Sequence, residues 1–445
     1  MNKNKDYLIT EKPSLALFAF ALPMIIGNLF QQAYTIVDSA IVGHYVGETA
    51  LAAVGASYAL TSIFICVAIG GGIGASVIIS QHFGGHAYSR MKTSIRTAML
   101  SFLLISLLLG GIGLCFSRQI MEALNTPADA MDIAVIYLNI YFYGLPFLFM
   151  YNILSSMFNA LGESRIPLYL LIFSSVLNIF LDLYMVATLH LGVAGAAYAT
   201  FIAQGISAVC SFLIFLHTLR RLDGKAETWF SKAEFSSMSR IALPSILQQS
   251  TVSIGMMLVQ SVVNGFGTQI LAGFSAGMRI ESLCVVPMAA IGNALSSYTA
   301  QNIGAEKHER ISLGYRTANI MVAITAIILC LFLELLHRPL IALFLDGAPS
   351  AQTVATGEGY LRFIGFFFCM IGFKMAVDGI LRGAGAVKVF TIANLVNLGL
   401  RVLIAKLGAP VYGIAMIWYA VPLGWLANFL ISYGYYRTGK WKQIK

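Results

Sequence analysis

"FALPMIIGNLFQQ" at residues 20–32 and "IALPSILQQSTVS" at residues 241–253 share an Ala-Leu-Pro step set in an apolar run. The pairing continues downstream. "VDSAIVG" at 37–43 aligns with "VQSVVNG" at 259–265, and "SQHFGG" at 80–85 with "AQNIGA" at 300–305. "FNALGESR" at 158–165 then meets "LRGAGAVK" at 381–388. The offset stays near 220 residues throughout, so the chain is one unit of sequence written twice.

Each copy is too apolar to be a soluble domain. Of 445 residues, 58% are hydrophobic and 11% charged, and the mean hydropathy is +0.80. Soluble domains carry about 25% charged residues. Runs matching the roughly 20 residues that cross a bilayer fall near 15–40, 51–79, 95–116, 133–158, 167–188 and 193–217. The second copy repeats them near 241–264, 271–300, 315–336, 357–380, 389–407 and 411–435. The sequence therefore predicts an all-α integral membrane protein of about twelve transmembrane helices in two parallel-repeat six-helix bundles. The expected domains are a bundle over 1–217, a linker over 218–240 and a bundle over 241–445. That linker, the longest polar stretch, reads in part as an interfacial helix. Parallel repeats about an axis along the membrane normal are a transporter architecture, with a substrate site expected between the halves near mid-depth.

Charge placement gives an orientation. Basic residues cluster before the first span (Lys3, Lys5, Lys12), after the second (Arg90, Lys92, Arg96) and after the sixth (Arg220, Arg221, Lys225, Lys232, Arg240). They recur after the eighth (Lys307, Arg310, Arg316), after the tenth (Arg382, Lys388) and at the end (Arg437, Lys440, Lys442, Lys445). The intervening loops hold little beyond Arg118 and Arg338. This pattern puts both termini in the cytoplasm of a cell-membrane protein. The net charge of +9 is then mostly a topology signal, not a nucleic-acid footprint. "MNKNKDYLITEKPS" leads straight into a full-length span, so no cleavable signal peptide is expected. The six cysteines all fall in apolar spans and none forms a CxxC pair, which disfavours a disulfide framework or zinc site.

Within the fifth span, "LNIFLDLYMV" at 177–186 places Asn178 and Asp182 four apart, on one face of a helix. A carboxylate near the bilayer centre costs roughly 2.5 kcal/mol or more, so Asp182 marks a function by default. Asp38 also reads as an interfacial residue, Asn178 as helix–helix glue and Thr200 as a back-bonding threonine. "GGGIGAS" at 70–76 lacks a preceding strand and a following Lys-Ser or Lys-Thr, so it points to close helix packing and not to a nucleotide loop. Pro23, Pro146, Pro244, Pro287 and Pro422 lie within or at the ends of spans and are expected to bend or break them. Residues 31–34 ("QQAY"), Tyr137, Tyr141 and Phe142 are expected to line a cavity or simply to pack.

In the second copy, Gln248, Gln249 and Gln260 stand in the seventh span, and the acids are Glu281 and Asp378. Lys374 and Asp378 are four apart and can neutralise one another, a structural role weighed against one in transport. Arg401 aligns with Asn178 under the repeat, which reads as a buried counter-ion. Gln248, Gln260, Glu281, Lys374, Asp378 and Arg401 together form a possible polar site of that half.

With these motifs in order, the chain resembles the multidrug and toxic compound extrusion (MATE) family, part of a larger group that includes lipid-linked oligosaccharide flippases. The resemblance spans essentially the whole chain and rests on "VDSAIVG", "SQHFGG", "AQNIGA" and "LNIFLDLYMV", with "LGVAGAAYAT" at 191–200 and "ILRGAG" at 380–385. It implies that Asp38, Asn178, Asp182 and Thr200 converge in the amino-terminal bundle on a coupling cation. The side chains are compatible: they offer carboxylate, amide and hydroxyl oxygens to a hard cation such as Na⁺. Two nearby carboxylates in a low dielectric also repel, which favours uptake of H⁺. The glutamate that some members carry in the seventh span is missing, which puts a second cation site in doubt.

The expected function is secondary active efflux, exchanging H⁺ or Na⁺ for amphipathic, often cationic drugs or toxins by alternating access. The expected protein is a monomer in the lipid bilayer, with no nucleic-acid partner and no cofactor besides the coupling ion. The alternative is a flippase of a lipid-linked cell-envelope precursor. An enzyme is not expected, since HExxH and GxGD motifs are lacking, and no Walker loop supports a primary pump.

Overall fold

The computed structural model describes residues 6–46, 48–124, 126–345 and 349–443. Lys3, Lys5 and Lys445 lie outside the described residues. Fourteen α-helices and no strand occur among those described. A short α1 (Tyr7–Thr10) precedes α2 (Pro13–Val46), α3 (Glu48–Gly84), α4 (Tyr88–Ala123) and α5 (Ala128–Ala160). α6 (Arg165–Asp182) runs on as a π-helical segment over Leu183–Thr188, and α7 (Gly192–Arg220) completes the first repeat. The second repeat holds α8 (Lys232–Asn264), α9 (Thr268–Gly304), α10 (His308–Ala342), α11 (Ala351–Gly365), α12 (Phe368–Gly383), α13 (Val387–Tyr412) and α14 (Ala415–Thr438). A 3₁₀ turn over Lys440–Gln443 follows.

Among the described residues eleven helices are long and apolar enough to cross a membrane, and α11 with α12 makes up to twelve. The expected span at 357–380 is therefore two helices, bent by 52°. No proline stands at that break; Gly365 ends α11, and Phe363 packs against Phe367 with ring centroids 5.0 Å apart. The helices also outrun the apolar windows. α3 and α9, at 37 residues each, are about 55 Å long at 1.5 Å per residue, well beyond the roughly 30 Å of hydrocarbon. Pro23, Pro146, Pro244, Pro287 and Pro422 all lie inside continuous helices.

Two compact units emerge, one of residues 26–246 and the other of residues up to 25 together with 247 onward. These boundaries differ from 217 and 241 because the start of each repeat's first helix packs with the other repeat. In the second unit, Leu8, Leu17 and Phe20 join the core built around Phe274, Tyr298 and Tyr360. There Asn302 donates to the Leu8 carbonyl at 3.1 Å and Lys307 to that of Ile9 at 3.0 Å. In the first unit, Lys92 donates to the carbonyls of Leu222 and Gly224 at 2.7 and 2.8 Å. The hydroxyls of Thr93 and Thr97 each accept a backbone N–H, from Glu227 and Ser231, at 3.0 Å. Glu234 then meets His82 at 3.0 Å and Ser94 at 2.7 Å. The linker is thus an extended strap up to residue 231, and its helical part is simply the start of α8.

Glycines of "GGGIGAS" let α8 approach α3 closely. A Cβ on Gly70 would lie 2.5 Å from the Ile246 nitrogen, and one on Gly74 2.6 Å from that of Ala242. That is backbone-to-backbone packing, as the sequence suggests.

Candidate functional site

Four helices of the first unit bring polar groups together. α2 presents Tyr34 and Asp38 one turn apart, and α6 presents Asn178 and Asp182 at the same spacing. α5 supplies Tyr137 and α7 supplies Thr200. The hydroxyl of Tyr34 donates to Asn178 Oδ1 at 2.5 Å, and Asn178 Nδ2 donates to Thr200 Oγ1 at 3.4 Å. The Tyr34 side chain also faces Asp38, Asp182, Thr200 and Tyr137. Asn178 and Asp182 are 2% and 0% exposed, so the face they share points wholly into protein.

The two carboxylates are the unusual feature. Asp38 and Asp182 approach to hydrogen-bonding range of one another. Yet Asp38 Oδ1 and both oxygens of Asp182 are buried with no hydrogen-bond donor. Two ionised carboxylates have only acceptors to offer, so such an approach needs a proton or a cation between them. Buried polar groups in folded proteins are otherwise almost always paired. The helix that carries Asp182 changes character at that residue. α6 ends there, and the π segment begins at Leu183, whose N–H bonds to both Ile179 and Phe180 carbonyls. π insertions widen one turn and are frequent at functional sites.

Asp38 lies eight positions before the end of α2 and is half-buried, so it is not at a helix end facing water. Tyr34, placed in the sequence only as cavity lining, belongs to the cluster. Its signal was the four-residue spacing to Asp38 on the same helix. Among the described residues no three His, Cys, Asp or Glu side chains gather to hold a metal ion. The oxygen set is two carboxylates plus neutral amide and hydroxyl oxygens.

The second unit has a different chemistry. Lys374 pairs with Asp378 at 2.8 Å, both deeply buried. Ser432 donates to Asp378 Oδ1 at 2.8 Å, Lys374 to Asn394 Oδ1 at 3.2 Å and Asn428 to the same Asn394 oxygen at 3.2 Å. Arg382, read in the sequence as a loop cation, is buried at the end of α12 and donates to Asn293 and Ser296 at 2.7 and 3.3 Å. Tyr360 donates to Glu281 Oε2 at 2.5 Å, and Arg401 acts electrostatically on both. Among the described residues Arg401 makes no ion pair with Glu281, and its Nε is buried without a hydrogen-bond partner. Gln260 reaches Ser275 at 3.3 Å, while the Gln248 Oε1 is buried without a partner. Of the six polar residues expected in this half, Lys374 and Asp378 pair directly, and Glu281 and Arg401 interact electrostatically.

Comparisons with known proteins fit this architecture. The MatE family model matches residues 23–184 and again 244–407, the two repeats. A probable multidrug resistance protein, YpnP of Bacillus subtilis (strain 168), is 31% identical over 432 residues, covering 96% of each chain. A second from that organism, YoeA, is 26% identical over 465 residues, covering 100% of this chain and 99% of its own. A solved structure of an outward-facing multidrug resistance MATE family transporter of the MOP superfamily has the same fold. It superposes with a TM-score of 0.92 at 22% identity, covering 100% of both chains.

Proposed function

Because this chain belongs to the MatE family of membrane transporters, we propose that it exports amphipathic, often cationic organic compounds from the cell by ion-coupled antiport. The observation that carries the reading is Asp182, fully buried with both carboxylate oxygens unpartnered and Asp38 alongside. The coupling ion is H⁺ or Na⁺. A proton would be shared between the two carboxylates. Na⁺ would take oxygens from Asp38, Asp182, Thr200 and Asn178, whose amide oxygen keeps one lone pair beyond the bond from Tyr34.

The first unit's residues supply the exchange. With its carboxylates ionised, the cluster attracts an organic cation. When the inorganic cation arrives, the charge is neutralised and that attraction is lost. An ion and a drug that compete for the same charge bias opposite states of an alternating-access cycle, each by its difference in affinity for the two. One charge crossing 100 mV supplies about 2.3 kcal/mol, about fiftyfold in concentration. We place the protein in the plasma membrane with both termini cytoplasmic, on the strength of its basic-residue distribution.

The test is uptake of a fluorescent lipophilic cation into inverted vesicles, whose lumen corresponds to the cell exterior, with outwardly directed proton or sodium gradients imposed. One of the two gradients should drive uptake and the other should not. If neither moves any lipophilic cation, the antiporter reading fails.

A further inference from the structure

Where α10 begins and α14 ends, the second unit forms a half-open cavity of about 600 Å³ that the transport reading does not use. This is within the roughly 300–1,000 Å³ typical of small-molecule sites. The cavity is built, not incidental. Gly439 adopts a left-handed conformation at φ 70°, which ends α14 and turns the chain back on itself. The 3₁₀ turn that follows tucks Trp441 under the helix, 1% exposed, with its indole N–H on the Tyr436 carbonyl at 2.9 Å. Trp441 stacks on Tyr436 with centroids 5.6 Å apart, and Tyr436 packs on Tyr315 at 4.8 Å.

Three cations line the same cavity: Arg316 from α10, Arg437 from α14 and Lys442 from the terminal turn. All three are exposed, and among the described residues none is paired with a carboxylate. Lys442 sits over the Trp441 ring at 5.6 Å. An aromatic belt and basic flanks are ordinary at a membrane surface. Here, however, they are gathered into one concavity whose described lining carries three positive charges and no carboxylate. Guanidinium groups suit phosphate geometry, and basic pockets between transmembrane helices hold lipid headgroups. The aromatic wall continues into Phe373 and Phe429, an apolar surface that an acyl chain can cover and a soluble phosphate cannot use.

We propose that this cavity binds the phosphate headgroup of an anionic phospholipid. The assignment is independent of the ion site in the first unit.

Native mass spectrometry of the full chain in detergent tests it, with dioleoylphosphatidylglycerol and dioleoylphosphatidylcholine as probes. The first phosphatidylglycerol should bind more than tenfold tighter than phosphatidylcholine. Arg316→Gln, Arg437→Gln and Lys442→Gln should each cost about fivefold in that preference, and the triple variant should abolish it. A control triple in the first unit, Arg220→Gln with Arg221→Gln and Lys225→Gln, should leave the preference intact. Equal binding of the two lipids by the unaltered chain would overturn the proposal. So would equal losses in the two triple variants, which would assign the effect to diffuse surface charge. Displacement of the lipid by sn-glycerol 3-phosphate at matched concentration would assign the cavity to soluble phosphate esters instead.

Discussion

Asp182 has no exposed surface and no donor to either oxygen, a combination that is costly unless something positive binds there. Asp182→Asn keeps the volume and an oxygen, but the amide neither takes up a proton nor balances a sodium charge. Ion-driven efflux should fall to the uncoupled leak, while the protein inserts and folds as well as before. Asp38→Asn should behave alike. The double variant should be little worse than either single, since two carboxylates that share one charge act as a unit. Efflux at matched expression for all four proteins measures this, and near-normal coupling in Asp182→Asn removes the site. Glu281 makes the contrast. It already has a donor in Tyr360 and lies within the field of Arg401, so it needs no transported ion. Glu281→Gln should leave ion dependence intact, since the amide oxygen still accepts from Tyr360. Loss of ion dependence at normal expression would move the coupling site to the second unit.

At the scale of elements, spacing along a helix was informative and contacts between helices were not. Asn178 and Asp182, or Lys374 and Asp378, are visible as pairs because a helix turn is local. Tyr360 on α11 as the donor to Glu281 on α9, or Ser432 on α14 as the donor to Asp378 on α12, depends on tertiary packing that no repeat or period encodes. The same limit hid Arg382, which a count of loop cations cannot distinguish from a buried one. The π segment after Asp182 and the break between α11 and α12 are likewise invisible in hydropathy, which averages over both. The Lys374–Asp378 pair yields a prediction of its own. Removing one partner of a buried ion pair costs about 3–5 kcal/mol, since the other charge is left behind. Asp378→Asn and Lys374→Met should each sharply lower thermal stability in detergent. The double variant should recover most of the loss, and ion coupling in it should persist if transport is detectable. Two single variants as stable as the unaltered chain would show the pair to be energetically idle.

For the whole molecule, the duplicated sequence already contained the two six-span repeats, whose bounds differ from those of the two compact units. Residues 15–25 and 241–246 read as the opening turns of their own repeats, yet each packs in the unit of the other, and residues 232–240, expected in the linker, form one helix with 241–246. The apolar pattern is the same whichever unit covers it, so hydropathy could not have told them apart. Orientation is a separate question, because charge counting assumes that every apolar stretch crosses. The bent pair α11–α12 is where that assumption is weakest: one broken span crosses the membrane, whereas a re-entrant loop returns to its own side. The two cases differ in the fate of everything after residue 383. With a single crossing, α13 and α14 bring the chain end back to the side that holds the 221–231 strap; with a re-entrant loop, it finishes on the opposite side. Single cysteines at exposed positions in a background without the six native thiols can decide this: Lys225→Cys in the strap, Gln119→Cys at the far end of α4 and Lys440→Cys after α14. A membrane-impermeant maleimide applied to intact cells should label only Gln119→Cys, and permeabilisation should expose the other two together. Labelling of Lys440→Cys from outside, with Lys225→Cys still protected, would make α11–α12 re-entrant and reduce the crossings to eleven. Labelling of both would reverse the orientation, and with it the direction in which the proposed gradient drives export.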